Sequence, residues 1–85
     1  MTKTEKFRNA CMEATKTFEK IQNKEHKEII ANLEYCIGSY NFDKNPSGLL
    51  KYGEIALKEL KAFKKQNPRK VNKKIIDNLE KNLPN

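Results

Sequence analysis

Eighty-five residues, with 18 Lys/Arg against 11 Asp/Glu, a net charge of +7 and only three Gly and three Pro, describe one small basic domain over 1–85. A chain this short supports one modest core and no second domain. No apolar run approaches the ~20 residues that span a bilayer, and Met1-Thr2-Lys3-Thr4-Glu5-Lys6 lacks the apolar stretch of a secretory leader. A cytoplasmic protein without a transmembrane segment is therefore expected.

Apolar periodicity divides the chain into four helical segments of similar length. In the first, Phe7, Cys11, Ala14, Phe18 and Ile21 alternate steps of four and three, the seam of a helix that packs on neighbours. Continuing that pattern would place Glu25 and Glu28 on the apolar face, so the phase breaks near Asn23, a residue suited to cap a new helix. The second segment carries Ile29, Ile30, Leu33, Cys36, Ile37 and Tyr40 on one face, and 41–45 reads as a loop. Asn45-Pro46 then looks like a cap followed by proline at the first helical position. The third segment lines up Leu49, Leu50, Gly53, Ala56, Leu57, Leu60 and Phe63. Asn67-Pro68 repeats the start signal, and Val71, Ile75, Ile76, Leu79 and Leu83 form the last stripe before Pro84.

Register joins these segments as two antiparallel hairpins. Folding the first about Asn23 and Lys24 sets Phe7 against Tyr40, Cys11 against Cys36, Ala14 against Leu33 and Phe18 against Ile29. Folding the second about Gln66 sets Leu49 against Leu83, Gly53 against Leu79, Ala56 against Ile76 and Leu57 against Ile75. Gly53 inside a helix costs about 1 kcal/mol against alanine, which points to a close helix approach there, opposite Leu79. The expected fold is all-α, a small up-down-up-down four-helix bundle built from two helical hairpins. A three-helix variant would fuse the first two segments into one bent helix.

The chemistry-bearing residues are few. Cys11 and Cys36 face each other as small buried hydrophobes rather than as a disulfide, since packed helix axes stand ~8–10 Å apart and the expected compartment is reducing. The single histidine, His26, lies ten residues from Cys36, or ~15 Å along a helix, too far for a metal or nucleophilic pair. Glu19, Glu25 and Glu28 lie near His26, but position 23 is asparagine, so the Glu-x-x-His signature of helical di-metal sites is missing. His26 reads as a partly exposed packing residue at a bundle end. The glycines of Gly48-Leu49-Leu50-Lys51-Tyr52-Gly53 have phosphate-loop spacing, but Glu54-Ile55 stands where Lys-Ser or Lys-Thr is required. No catalytic constellation, cofactor fingerprint or metal-ligand set emerges, and a non-enzymatic protein is expected.

Charge is the informative signal. The first sixty residues hold ten Lys/Arg against nine Asp/Glu, and residues 75–85 hold one lysine against two acids. Lys61, Lys64, Lys65, Arg69, Lys70, Lys73 and Lys74 lie between them without an acid and carry the whole net charge. At the end of the third helix such cations complement the helix dipole; at the start of the fourth they oppose it, so Arg69 and Lys70 in a first turn call for a bound anion. Asn72 stands in position to reach a base if the partner is nucleic acid, but Asp77 and Glu80 interrupt the basic face and no exposed aromatic platform accompanies it. Off the core stripes, Met12 and Tyr35 face each other in the expected register, while Tyr52 and Ile55 widen the third helix, a candidate apolar interface. The functional expectation is a small helical interaction module binding a macromolecular partner through surface charge, an acidic protein or a second copy of itself. A weak, largely sequence-independent nucleic-acid binder using the 61–74 corner is the alternative.

Overall fold

The computed structural model describes residues 2–83, which form four helices and, among the described residues, no strand. Helix α1 spans Lys3–Ile21, α2 Lys27–Asp43, α3 Ser47–Gln66 and α4 Lys73–Asn82. Helix α1 packs against α2, α4 and diagonally α3; α3 also packs against α2 and α4, closing a ring in which α2 and α4 occupy opposite corners. This is the expected all-α four-helix bundle. The stop at Pro84 lies outside the described residues.

Helices α1, α3 and α4 begin where a short polar side chain satisfies a free backbone amide. Thr2 Oγ1 accepts from the Glu5 amide at 3.1 Å, with the glutamate in the first turn of α1 where the dipole favours it. Helix α1 ends at Gln22, whose left-handed backbone, φ 57°, turns its N–H onto the Phe18 carbonyl at 3.2 Å. Asn23 then caps as expected, accepting from the Glu25 amide at 2.9 Å, but it opens a single 3₁₀ turn, Lys24–His26, before α2. Helix α2 runs on through Asn41, Phe42 and Asp43, so the loop expected over 41–45 becomes 44–46. Asn45 Oδ1 caps α3 by accepting from both the amide and the hydroxyl of Ser47, at 3.1 and 2.9 Å.

The second hairpin differs from its expected register. Asn67-Pro68 ends α3, with the Asn67 N–H still bonded to the Phe63 carbonyl, but does not start α4. Asn72 is the cap, accepting from the Lys74 amide at 2.9 Å, and 67–72 form a turn. The folding point therefore moves from Gln66 towards Arg69 and Lys70. Lys61 consequently pairs with Glu80 at 3.0 Å, where folding about Gln66 would set Val71 opposite it. The expected pairings of Leu49, Gly53, Ala56 and Leu57 with α4 give way, and α4, at ten residues, is about half as long as α3.

Gly53 does allow a close approach, but to α1 rather than to Leu79. A Cβ at position 53 would overlap the Phe7 ring and stand 3.1 Å from Cys11 Sγ. Around this contact lies one core of Phe7, Cys11, Ala14 and Phe18 from α1, Leu33, Cys36 and Tyr40 from α2, Leu49, Ala56, Leu57 and Leu60 from α3, and Val71, Ile76 and Leu79. Gly53→Ala is therefore expected to destabilise the protein by about 1–3 kcal/mol despite alanine's better helix propensity, because the Phe7 ring must leave its rotamer. Denaturant unfolding checks this, and Phe7→Leu in the same chain should recover part of the loss.

Both cysteines are free and buried, as the first hairpin register implies. Burial, reinforced by the adjacent Cys36 thiol, pushes the Cys11 pKa from 9.0 up to about 12, and burial also raises that of Cys36. Neither thiol is thus expected to alkylate in the native protein at pH 8, and both should react once it unfolds. Below pH 9 the Cys11 thiol is protonated in folded and unfolded chains alike. Between pH 9 and about 12 only the unfolded chain releases that proton, so stability falls as pH rises. Denaturant midpoints across this range should fall more steeply for the parent than for Cys11→Ala.

Candidate anion-binding cleft

The seven basic residues of the 61–74 segment divide by what they touch. Lys61 is spent on Glu80 across the α3–α4 surface, an exposed pair worth little to stability. Lys64 is a clasp: its Nζ donates to the Val71 carbonyl at 2.8 Å and the Pro68 carbonyl at 3.2 Å, holding the turn against the end of α3. Lys65 stays exposed on the last turn of α3. Arg69 and Lys70 lie in the turn and not in a helical first turn, and the Lys70 amide is already bonded to the Asn67 carbonyl at 3.0 Å. The amide donors expected at the start of α4 are therefore not at 69 and 70. Lys73 and Lys74 occupy the first turn instead, with no acid beside them to offset the dipole. Asn72 directs its side-chain oxygen to the Lys74 amide as a cap and is not held ready for a base.

The turn keeps its shape for identifiable reasons. Val71 is 1% exposed, pulled into the core although it belongs to no helix. The Asn67–Lys70 backbone bond and the Lys64 clasp fix the chain on either side of it. Arg69, Lys70 and Lys73 are thereby thrown outward beside the second half of α1, which runs antiparallel to α4. Between them opens a cleft of about 530 Å³ with Thr17 and Lys20 on its α1 wall, Lys70, Arg69 and Lys73 on the other, and the edge of Ile75 within. Among the described residues no carboxylate lines it. Lys20 and Lys70 meet again at a smaller depression beside Ile21.

Lys20 is the member that the sequence does not announce. It lies some fifty positions from the basic segment in a stretch of balanced charge, and only the α1–α4 packing brings it to the corner. Converging cations on such a concave surface can hold an anionic group by charge-assisted hydrogen bonds.

The other candidate residues fall elsewhere. Tyr52 is partly buried against the core, Met12 and Ile55 are each 40% exposed on α1 and α3, and Tyr35 is 78% exposed on α2. Tyr35 lies beside Ser39 over a small hollow closed by Asn45, Ser47 and Gly48, a depression that Met12 does not line. His26 is not partly exposed, as expected, but 1% exposed, wedged edge-on between Phe18 and Phe63 at ring separations of 4.6 and 5.5 Å. Its Nε2 meets Glu59 Oε1 at 3.4 Å, a close contact too poorly aligned for a hydrogen bond. Among the described residues no three His, Cys, Asp or Glu side chains cluster closely enough to hold a metal ion. Nor is any helix there long and apolar enough to cross a membrane.

Because Lys64 holds the turn, Lys64→Met is expected to cost about 1 kcal/mol, the net worth of one hydrogen-bonded lysine at a partly exposed site. A shift of that size in the denaturant midpoint, without loss of helical circular dichroism, is the measurement.

Compared with protein-family models, curated proteins and solved structures, the chain matches none.

Proposed function

We propose that the protein is a non-enzymatic binding module that engages an acidic protein segment through the cleft between α1 and the α3–α4 turn. The observation that carries this reading is the concave, carboxylate-free meeting of Lys20, Arg69, Lys70 and Lys73. Folding brings Lys20 of α1 to the three cations of the α3–α4 turn and the first turn of α4. Lys73 stands in a helical first turn that has no acid to offset it, so an incoming carboxylate gains from the helix dipole as well as from the side chains.

An acidic polypeptide suits this cleft better than a nucleic acid. The cleft is short and pocketed instead of a stripe along the surface, and Asp77 and Glu80 follow it on α4. No aromatic side chain lines it for base stacking, whereas the Ile75 edge offers an apolar contact that a polypeptide side chain can use. The reading places the protein in the cytoplasm, a setting in keeping with two free thiols.

Titration of a labelled Asp/Glu-rich peptide at about 50 and about 200 mM salt tests it, since attraction between exposed charges weakens as the Debye length shrinks. The expected result is binding that weakens with salt and is lost on replacing Lys20, Arg69, Lys70 and Lys73 by glutamine, with the helical signal unchanged. Equal binding by that variant would reject the cleft. Duplex DNA run in parallel separates the alternative: tighter binding to duplex, with a log–log salt slope near −4 for four or five phosphate contacts, would move the assignment to nucleic acid.

A further inference from the structure

We propose that the acidic segment lies in extended form along the furrow between α1 and α4, gripped at two separate points. Lys20, Arg69, Lys70 and Lys73 hold one end at the cleft, and Lys6 and Lys81 hold the other. The inference rests on the binding reading above and deepens it, since it states the shape, length and charge spacing of the partner.

The cleft continues beyond Thr17. On α1, Lys6, Ala10, Glu13, Thr17 and Lys20 follow one another in steps of four, three, four and three, within about 80° of the helix surface. On α4, Ile75, Asn78 and Asn82 line up in steps of three and four. Because the helices are antiparallel, Thr17 and Lys20 meet Ile75 and the turn, while Lys6, Ala10 and Glu13 meet Asn78, Lys81 and Asn82 around a second hollow of about 330 Å³. The two hollows are successive stretches of one furrow. Its floor on α1 is made of small buried residues, Ala10 and Thr17.

The lining selects an extended chain over a helix. A docked helix has satisfied its own backbone and needs an apolar groove, whereas this second hollow offers amide and ammonium groups. Asn78 is half-buried there, and among the described residues its side-chain amide has no hydrogen-bond partner; only its main-chain carbonyl is taken, by Asn82 Nδ2 at 2.9 Å. A carboxamide both donates and accepts, which is what the free N–H and C=O of an extended strand require. Among the described residues no aromatic side chain lines either hollow, so the bases of a single-stranded nucleic acid find no platform.

Charge sets the spacing. Lys6 stands fourteen residues before Lys20 on α1, about 21 Å along the axis, and Lys81 eight residues after Lys73 on α4, about 12 Å. The two groups of cations are therefore about 16 Å apart on average, a distance that an extended chain covers with about five residues. Glu13 lies exposed in the furrow midway between Lys6 and Lys20 and repels a carboxylate there. The furrow thus suits acidic residues at both ends of a short uncharged stretch, not an unbroken acidic run.

Fluorescence anisotropy of the full chain with three labelled heptapeptides tests the proposal. One carries two aspartates at each end of three serines, one has the same residues with the four aspartates together, and one is all aspartate. The spaced peptide is expected to bind at least about tenfold tighter than its isomer, the worth of one charge-assisted contact. Lys6→Gln with Lys81→Gln should erase that preference and leave the isomer bound at the cleft. Asn78→Leu should weaken the spaced peptide with the helical circular dichroism unchanged, and Glu13→Gln should strengthen the all-aspartate peptide about two- to fivefold. Equal binding of the two isomers, or a preference that survives the Lys6/Lys81 change, overturns the furrow and leaves the cleft reading standing. An Asn78→Leu variant that holds the spaced peptide as the parent does overturns the extended backbone pairing. Indifference of every peptide to glutamine at the four cleft positions overturns the cleft reading itself, and the furrow with it.

Discussion

The Phe7 ring occupies the volume that a side chain at position 53 would fill. That contact joins α1 to α3 across the diagonal of the bundle, and it can exist only because residue 53 is glycine. It makes α1 the shared wall of the core, touching all three other helices, and leaves α2 and α4 to fill the two remaining corners on opposite sides. Dispersion between well-fitted atoms falls away within an ångström of extra separation, so the diagonal distance is held tightly. The burial of Cys11 follows from it, as does the separation of the basic corner from the outer face of α2.

The first hairpin is legible in the sequence because its signals agree. The stripe from Phe7 to Ile21 loses phase at the residue that caps the next turn, and Leu33, Cys36 and Tyr40 are buried, with Ile29 and Ile37 partly so. The second hairpin carries its start signal at Asn67-Pro68, with Val71 on the apolar stripe that follows, but the structure caps α4 at Asn72. Proline proves able to end α3 without beginning α4, and Val71 reaches the core from a turn. Five residues of displacement move Arg69 and Lys70 out of a helix.

Other misses share a physical origin in packing that local pattern does not encode. Phe42 sits between Asn41 and Asp43, residues that favour turns, yet α2 continues through all three, bound at its end by the Lys44 amide on the Tyr40 carbonyl at 2.8 Å. Lys20 joins the basic corner through long-range packing. His26 is closed in by Phe18 and Phe63, aromatic rings from two other helices. In each case the residue type is visible, but its neighbours come from a distant part of the chain.

The 67–72 turn is held by the Asn67–Lys70 backbone bond, by the Lys64 clasp on main-chain oxygens and by burial of Val71. The side chains of Arg69, Lys70 and Lys73 contribute to none of these. Their side chains are carried by the turn without supporting it, so the charge of the corner is a free variable with respect to folding. Substitutions there can alter the charge of the corner while the core and the path of the chain stay as they are. Surface charge that is separated from folding in this way can be retuned one residue at a time.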